Sequence, residues 1–287
     1  MGTRADLARM LPRPADLPSL PLVYTSLRAA LDDPRSSMTR IADILGQDAA
    51  LTARLLRLVN SAFYAFSVPV DTVARAVLLV GTEQVHDLAL ATLVMDLFKG
   101  IPAALMDMTS FWRHGLATGV AARVLAGFRR ESNIERFFVA GVLHDIGRLV
   151  LVRSQTSACR DALLRCRREG IPLAVAERDA LGVDHADIGG ALANAWHLPA
   201  AIRDAVAFHH EPGRATEHAD EAAIVHLADV LVHAVELGSS GDARVPPLDG
   251  GAWQRVGFAP GVLAAILDEI ERQLAAATAL LESSVPA

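Results

Sequence analysis

Five histidines and two aspartates in the 287-residue sequence carry donor atoms of the kinds that bind metal ions. They are His114, the adjacent pair His144-Asp145, His185, the adjacent pair His209-His210, and Asp229. Neutral imidazole and carboxylate are ligands for borderline and hard first-row divalent cations. His144-Asp145 is a polar pair inside an otherwise apolar run, Ala140-Gly141-Val142-Leu143-His144-Asp145-Ile146-Gly147-Arg148. A lone His-Asp dipeptide is most often a hydrogen-bonded core pair. Here it has company. Five His and two Asp on five successive helices meet only if a bundle folds them inward, which is how helical bundles build metal sites.

Arg148 stands four residues after His144, so on a helix it leans toward the same face. A guanidinium there suits bidentate contact with phosphate or carboxylate. Pairing with a nearby acid such as Glu211 is the equal alternative. The other histidines read as structural. His197 sits near a helix end, where the helix dipole favours it. His218, His226 and His233 fall on or beside one helix, and His86 matches no pattern. Asn60 and Ser61 read as the end of a local helix. Phe63, Tyr64 and Phe66 read as core or lobe-interface aromatics.

The elements that must position these groups are helices. Met38, Ile41, Ile44 and Leu45 repeat at helical spacing behind the serine cap of Arg35-Ser36-Ser37, and Asp48 caps Leu51, Leu55, Leu56 and Val59. The pattern continues over Val70 to Leu79 and Gly81 to Phe98. A longer helix is expected from about Thr109 through Ala126. Others are expected from Asn133 past Leu151, Gln155 to Glu169, Asp184 to Trp196, Pro199 to His209, His218 to Glu236 and Pro260 to Leu281. Useful runs of two-residue alternation are missing, so the predicted fold is all-α. The predicted architecture is a two-lobed helical bundle. Its divisions are an N-terminal extension over 1–16, an N-terminal helical lobe over 17–100, a metal-binding lobe over 101–237, and a loop connector with a C-terminal helix over 238–287.

Composition narrows the class. Apolar residues are 52% and charged residues 21%, which excludes intrinsic disorder. Lys and Arg total 27 against 33 Asp and Glu, a net charge of −6, which argues against nucleic acid and anionic lipid as partners. No stretch is long and apolar enough to span a membrane, and the N-terminus lacks the apolar core of a signal peptide. The two cysteines, Cys159 and Cys166, read as buried thiols of a reducing cytoplasm.

The order of a lone His, then His-Asp, then a distant Asp resembles the HD superfamily of metal-dependent phosphohydrolases. The extra His sites resemble its HD-GYP branch. The N-terminal part decides between branches. Leu17-Pro18-Ser19-Leu20-Pro21, the run Asp48 to Tyr64 with Asn60-Ser61-Ala62-Phe63-Tyr64 at its end, and Ala74 to Gly81 are similar to the HDOD family, from about Leu17 to about Val235. The resemblance implies a bacterial signalling or regulatory module. It implies that His114, His144, Asp145 and Asp229 hold one divalent ion, and that Asp145 bridges to a second held by His185, His209 and His210. The ion would be Fe, Mn, Mg, Zn or Ni. Two ions sharing a carboxylate generate a hydroxide and clamp a phosphoryl group.

The sequence also departs from the catalytic branch. Arg148 replaces the family's Lys, which keeps the charge but changes its geometry. Pro212-Gly213-Arg214-Ala215 follows His209-His210-Glu211 without a Gly-Tyr-Pro signature, which argues against cyclic-di-GMP hydrolysis. The expected function is therefore a signal-transduction module with a metal site and without strong catalysis. Its expected partners are other signalling proteins, with a phosphorylated small molecule or nucleotide as candidate ligand and a homodimer as candidate assembly. The alternatives are a metal-dependent phosphohydrolase, in which Asp145 and Arg148 would be catalytic, and a metal-free interaction scaffold.

Overall fold

Caps set the boundaries of the first helices. In a computed structural model of the chain, Leu22–Asp32 forms α1, Met38–Gly46 α2, Ala49–Val59 α3, Val73–Val80 α4 and Thr82–Leu97 α5. Ser37 accepts the N–H of Arg40 at the start of α2, and Asp48 accepts that of Leu51 at the start of α3. Both satisfy a donor that the first turn leaves without an intrahelical partner. In α5, ten consecutive residues from Val85 to Val94 are buried. A helix covered on all sides is a core element. The structure describes residues 18–277 except Ala62, Ala65, Lys99 and Ala243 and the side chain of Ala276. The expected extension over 1–16 and the end of the last helix near Leu281 lie outside the described residues.

The second lobe comprises Met108–Phe128 (α6), Glu135–Leu143 (α7), Ile146–Ser154 (α8), Thr156–Glu169 (α9), Leu173–Leu181 (α10), His185–Ala195 (α11), Ala200–Phe208 (α12), Ala219–Ala234 (α13), Gly250–Val256 (α14) and Leu263–Ala277 (α15). The 21-residue α6 is its axis, and α7, α13 and α15 all pack on it. Among the described residues there is no strand, and the fold is all-α in two helical lobes. One apolar core runs through both lobes, from Tyr24 and Leu27 to Ile266 and Ile270. No single helix among the described residues is long and apolar enough to cross a membrane.

Three departures from the sequence expectation matter. The helix expected from Asn133 past Leu151 breaks at His144-Asp145, which separates α7 from α8. Helices α1 and α10 were not expected; α10 is short, and its middle is the charged run Glu177-Arg178-Asp179. The connector after residue 238 is not all loop, because Asp249 caps α14 through the N–H of Ala252.

The lobes are joined by a buried polar knot. Tyr64 donates to Glu135 Oε1 at 2.6 Å, and Arg123 reaches the same oxygen through Nε and a terminal nitrogen at 3.3 and 3.2 Å. The guanidinium of Arg123 lies 3.9 Å from the centre of the Phe63 ring. Asn60 closes the intervening loop, donating to the carbonyl of Val70 at 2.7 Å and accepting its N–H at 2.6 Å. Tyr64→Phe removes one hydrogen bond to a charged group and is expected to cost about 1–2 kcal/mol in chemical denaturation. Glu135→Ala leaves the Arg123 charge buried without its counter-ion, so a larger loss of about 3 kcal/mol is expected. Equal costs for the two variants would contradict the knot.

Candidate metal centre

Helix ends deliver most of the seven side chains to one buried point. His144 caps the C-terminus of α7, Asp145 precedes α8, His185 is the first residue of α11, and His209 caps α12 with His210 beyond it. His114 and Asp229 come from within α6 and α13. A Cβ at Gly147 would stand 2.1 Å from the carbonyl oxygen of His185 and 2.4 Å from the nitrogen of Gly189. Only glycine lets α8 approach α11 so closely. That approach sets His185 Nε2 3.0 Å from Asp145 Oδ1.

The donors fall into overlapping groups. Within each of three sets, candidate ligand atoms lie no more than 4.8 Å apart: His114, His144 and Asp229; His144, Asp145 and His209; His185, His209 and His210. His114 Nε2 is 3.1 Å from Asp229 Oδ1, and His144 Nε2 is 3.1 Å from Asp145 Oδ2. His209 Nε2 is 3.8 Å from Asp145 Oδ1, and His210 Nε2 is 2.8 Å from His185 Nε2. All seven predicted residues are therefore brought together. Asp145 lies between the two sides, its oxygens facing His144 and His185 separately.

The donor set fits a divalent cation. The Nε2 atoms of His114, His144 and His209, with one oxygen each of Asp145 and Asp229, are buried and complete no hydrogen bond. They face one another at close range without hydrogen-bond geometry, as ligands converging on an ion do. Their backs are fixed. His144 Nδ1 pairs with the carbonyl of Gly141 at 2.7 Å and His209 Nδ1 with that of Val206 at 2.8 Å. Such contacts set the tautomer that turns the Nε2 lone pair inward.

Protons and a cation compete for this pocket. Burial disfavours charge on His144, but Asp145 and Asp229 outweigh it and push the imidazole up to about 10. Burial and Arg148 oppose protonation of His185, yet Glu177 and Asp145 raise it to about 10 as well. Burial and the neighbouring imidazoles push His209 down to about 3, and His210 also moves down. Burial lowers His114 despite Asp229. Asp145 and Asp229 are held well below the carboxylate range, their burial outweighed by Arg148 and His144 at the first and by His114, His144 and His233 at the second.

Arg148 leans toward the donors and pairs with acids, as one of the two expectations had it, but the acid differs. It does not pair with Glu211, which Arg178 and Arg214 hold instead. It is 2% exposed, and its terminal nitrogens lie 3.3 Å from Asp145, 2.9 Å from His185 Nε2 and 3.1 Å from Asp242. A free ligand cannot reach it in this arrangement.

Three supporting residues were missed in the sequence. Glu177 accepts from both the ring Nδ1 and the backbone N–H of His185. It lay in a helix that periodicity did not reveal. His233 contacts Asp229 Oδ1 at 2.9 Å and packs edge-on to His114; its i, i+4 spacing from Asp229 was a readable signal. Asp242 gave none, standing in a Gly- and Ser-rich connector. His226 holds the carbonyl of His209 at 2.7 Å, and His86 stacks on Tyr24 with ring centres 4.6 Å apart.

The profile of the HDOD domain matches residues 17–212. The chain belongs to the HDOD domain family. A crystal structure of an HDOD domain protein of unknown function from Geobacter sulfurreducens superposes with a TM-score of 0.81 at 25% identity, covering 96% of this chain and 97% of that one. A protein from Shewanella amazonensis SB2B, provisionally named a phosphohydrolase, gives 0.76 at 23% identity, covering 96% and 98%; this likeness is one of fold. An uncharacterised protein of Treponema pallidum is 28% identical over 207 residues, which is 70% of this chain and 39% of that protein. This HDOD chain thus spans well under half of that relative's length.

Metal uptake by the HDOD pocket should release protons, because a cation and a proton need the same Nε2 atoms of His144 and His185. Both groups sit above the ordinary 6.5, so their charge stabilises the metal-free fold fully below pH 6.5, and this contribution is lost as pH rises toward about 10. Apparent affinity for Mn²⁺ or Zn²⁺ should therefore climb across that window while the metal-free protein loses stability. Calorimetry at several pH values checks both signs, and a flat affinity profile would refute the competition.

Proposed function

We propose that this HDOD chain is a signal-transduction module whose buried His/Asp pocket holds a divalent metal for regulation, without strong catalysis. The observation that carries the reading is a full set of donor atoms sealed from solvent. His114, His144, His185 and His209 are 0% exposed, and Asp145 and Asp229 are 3% and 2% exposed. Only His210, half-buried, reaches toward the surface. Residues of these types would hold a cation through His114, His144, Asp145 and Asp229 on one side, and through His185, His209 and His210 on the other. A bound divalent ion supplies Lewis acidity and a lowered pKa for its water.

The chain's own groups serve holding rather than turnover. Glu177, Gly141 and Val206 orient three imidazoles from behind. Arg148, a guanidinium beside the donors, spends its hydrogen bonds on Ser240 and Asp242. A phosphoester needs an open approach and a free positive group. The pocket offers neither in this state. Its readout is then the conformation of the surrounding helices, sensed by another protein of the signalling system.

A second reading, metal-dependent phosphohydrolase, is favoured by the donors present on both sides of Asp145. It requires the pocket to open.

Protein purified without chelator should carry a divalent metal by elemental analysis, and His144→Ala should lose it. The variant should stay folded, since apolar burial holds the bundle. A screen of phosphodiesters and nucleotides with Mn²⁺ or Fe²⁺ should show no turnover above the His144→Ala background. Turnover abolished by that substitution would move the assignment to the hydrolase, and a metal-free wild type would leave the scaffold.

A further inference from the structure

Residues 238–242 follow the end of α13 at Ala234 and run against α6, Arg148 and the start of α10. Ser239 donates its N–H to the carbonyl of Ser110 at 3.2 Å. Ser240 is fully buried, its carbonyl and hydroxyl accepting from one terminal nitrogen of Arg148 at 2.6 and 2.9 Å. Asp242 places Oδ2 3.1 Å from the other terminal nitrogen, while its Oδ1 accepts the N–H of Leu173 at 2.7 Å, at the start of α10. Gly238 has φ +80°, and a Cβ there would stand 2.5 Å from the nitrogen of His114. The strap is thus laid directly against two elements that carry donors.

We propose that Arg148 is an oxyanion-binding group held shut by the chain's own Asp242, so that a phosphate-type anion displaces the 238–242 strap to reach the pocket. The inference rests on the reading of the pocket as a regulatory metal site and names what would open it. Three observations carry it. A guanidinium presents the same fork to a carboxylate and to a phosphate, so a partner that satisfies one can be replaced by the other. Asp242 arrives on a loop of glycine and serine outside any helix, whereas Arg148 is fixed in the core by Asp145 and Glu177. Arg148 also touches both the strap and the donors, so an anion in Asp242's place would stand beside the metal pocket.

The competition has a thermodynamic signature. A ligand that must first expel a tethered group binds with an affinity reduced by the small fraction of open protein. Asp242→Asn removes the charge and keeps an oxygen to accept from Leu173. It is expected to raise the affinity for inorganic phosphate by about tenfold or more in calorimetry, as the closed state loses its ion pair. The double variant Asp242→Asn with Arg148→Gln should lose that gain. Unchanged phosphate affinity in Asp242→Asn overturns the proposal. Should that variant misfold, wild type serves: phosphate at high concentration should speed hydrogen exchange at the amides of Gly241 and Leu173, and unaltered exchange overturns it equally. Both measurements are run with Mn²⁺ and after chelation. A wild type that takes up no metal defeats the metal reading, while the exchange of the strap still judges the latch.

Discussion

The buried carboxylate of Asp145 is the constraint around which the second lobe is arranged. It stands at the break between α7 and α8, 3% exposed, with His144, His185 and Arg148 within 3.3 Å. An ionised carboxylate taken out of water must be compensated on every side. Gly147 must be a glycine so that α8 can bring His185 within reach, and α7 must stop at His144 so that its ring faces Asp145. The helices of this lobe can be read as supports for one charge.

Charge balance extends the argument. Three carboxylates, Asp145, Glu177 and Asp242, face the guanidinium of Arg148, and a fourth, Asp229, faces His114. Three imidazoles, His144, His185 and His233, are pushed upward, each against its own burial, by those same carboxylates. Without metal, protons on these rings neutralise the pocket. A dication would supply positive charge in place of some of those protons, with His144 and His185 as its ligands.

Much of this was legible from the chain. Ser37 and Asp48 announced their helices because a cap acts locally, and Asn60 announced a helix end for the same reason. The seven donors were visible because polar residues stand out within apolar helical runs. Other features depend on contacts distant in sequence. The helix break at His144-Asp145 runs against local apolar periodicity and is set by tertiary demand on Asp145. Glu177 serves His185 from a helix whose charged middle hides its buried face. Ser240 and Asp242 sit in a connector whose composition says only that it can turn. Their meaning comes from Arg148, 92 and 94 residues earlier.

The family-matched residues 17–212 contain six of the seven donors, and the seventh, Asp229, lies beyond them on α13. The same helix carries His233 against Asp229 and leads directly into the strap at Gly238. Completion of the donor set and closure over it therefore belong to one continuous piece of chain. Asp229 stands five residues before the end of α13, about 7.5 Å along the axis at about 1.5 Å per residue, and residues 235–237 turn the chain from there into the strap. Asp229 and the strap are thus neighbours along one stretch of chain, joined by three residues that lie outside the helix.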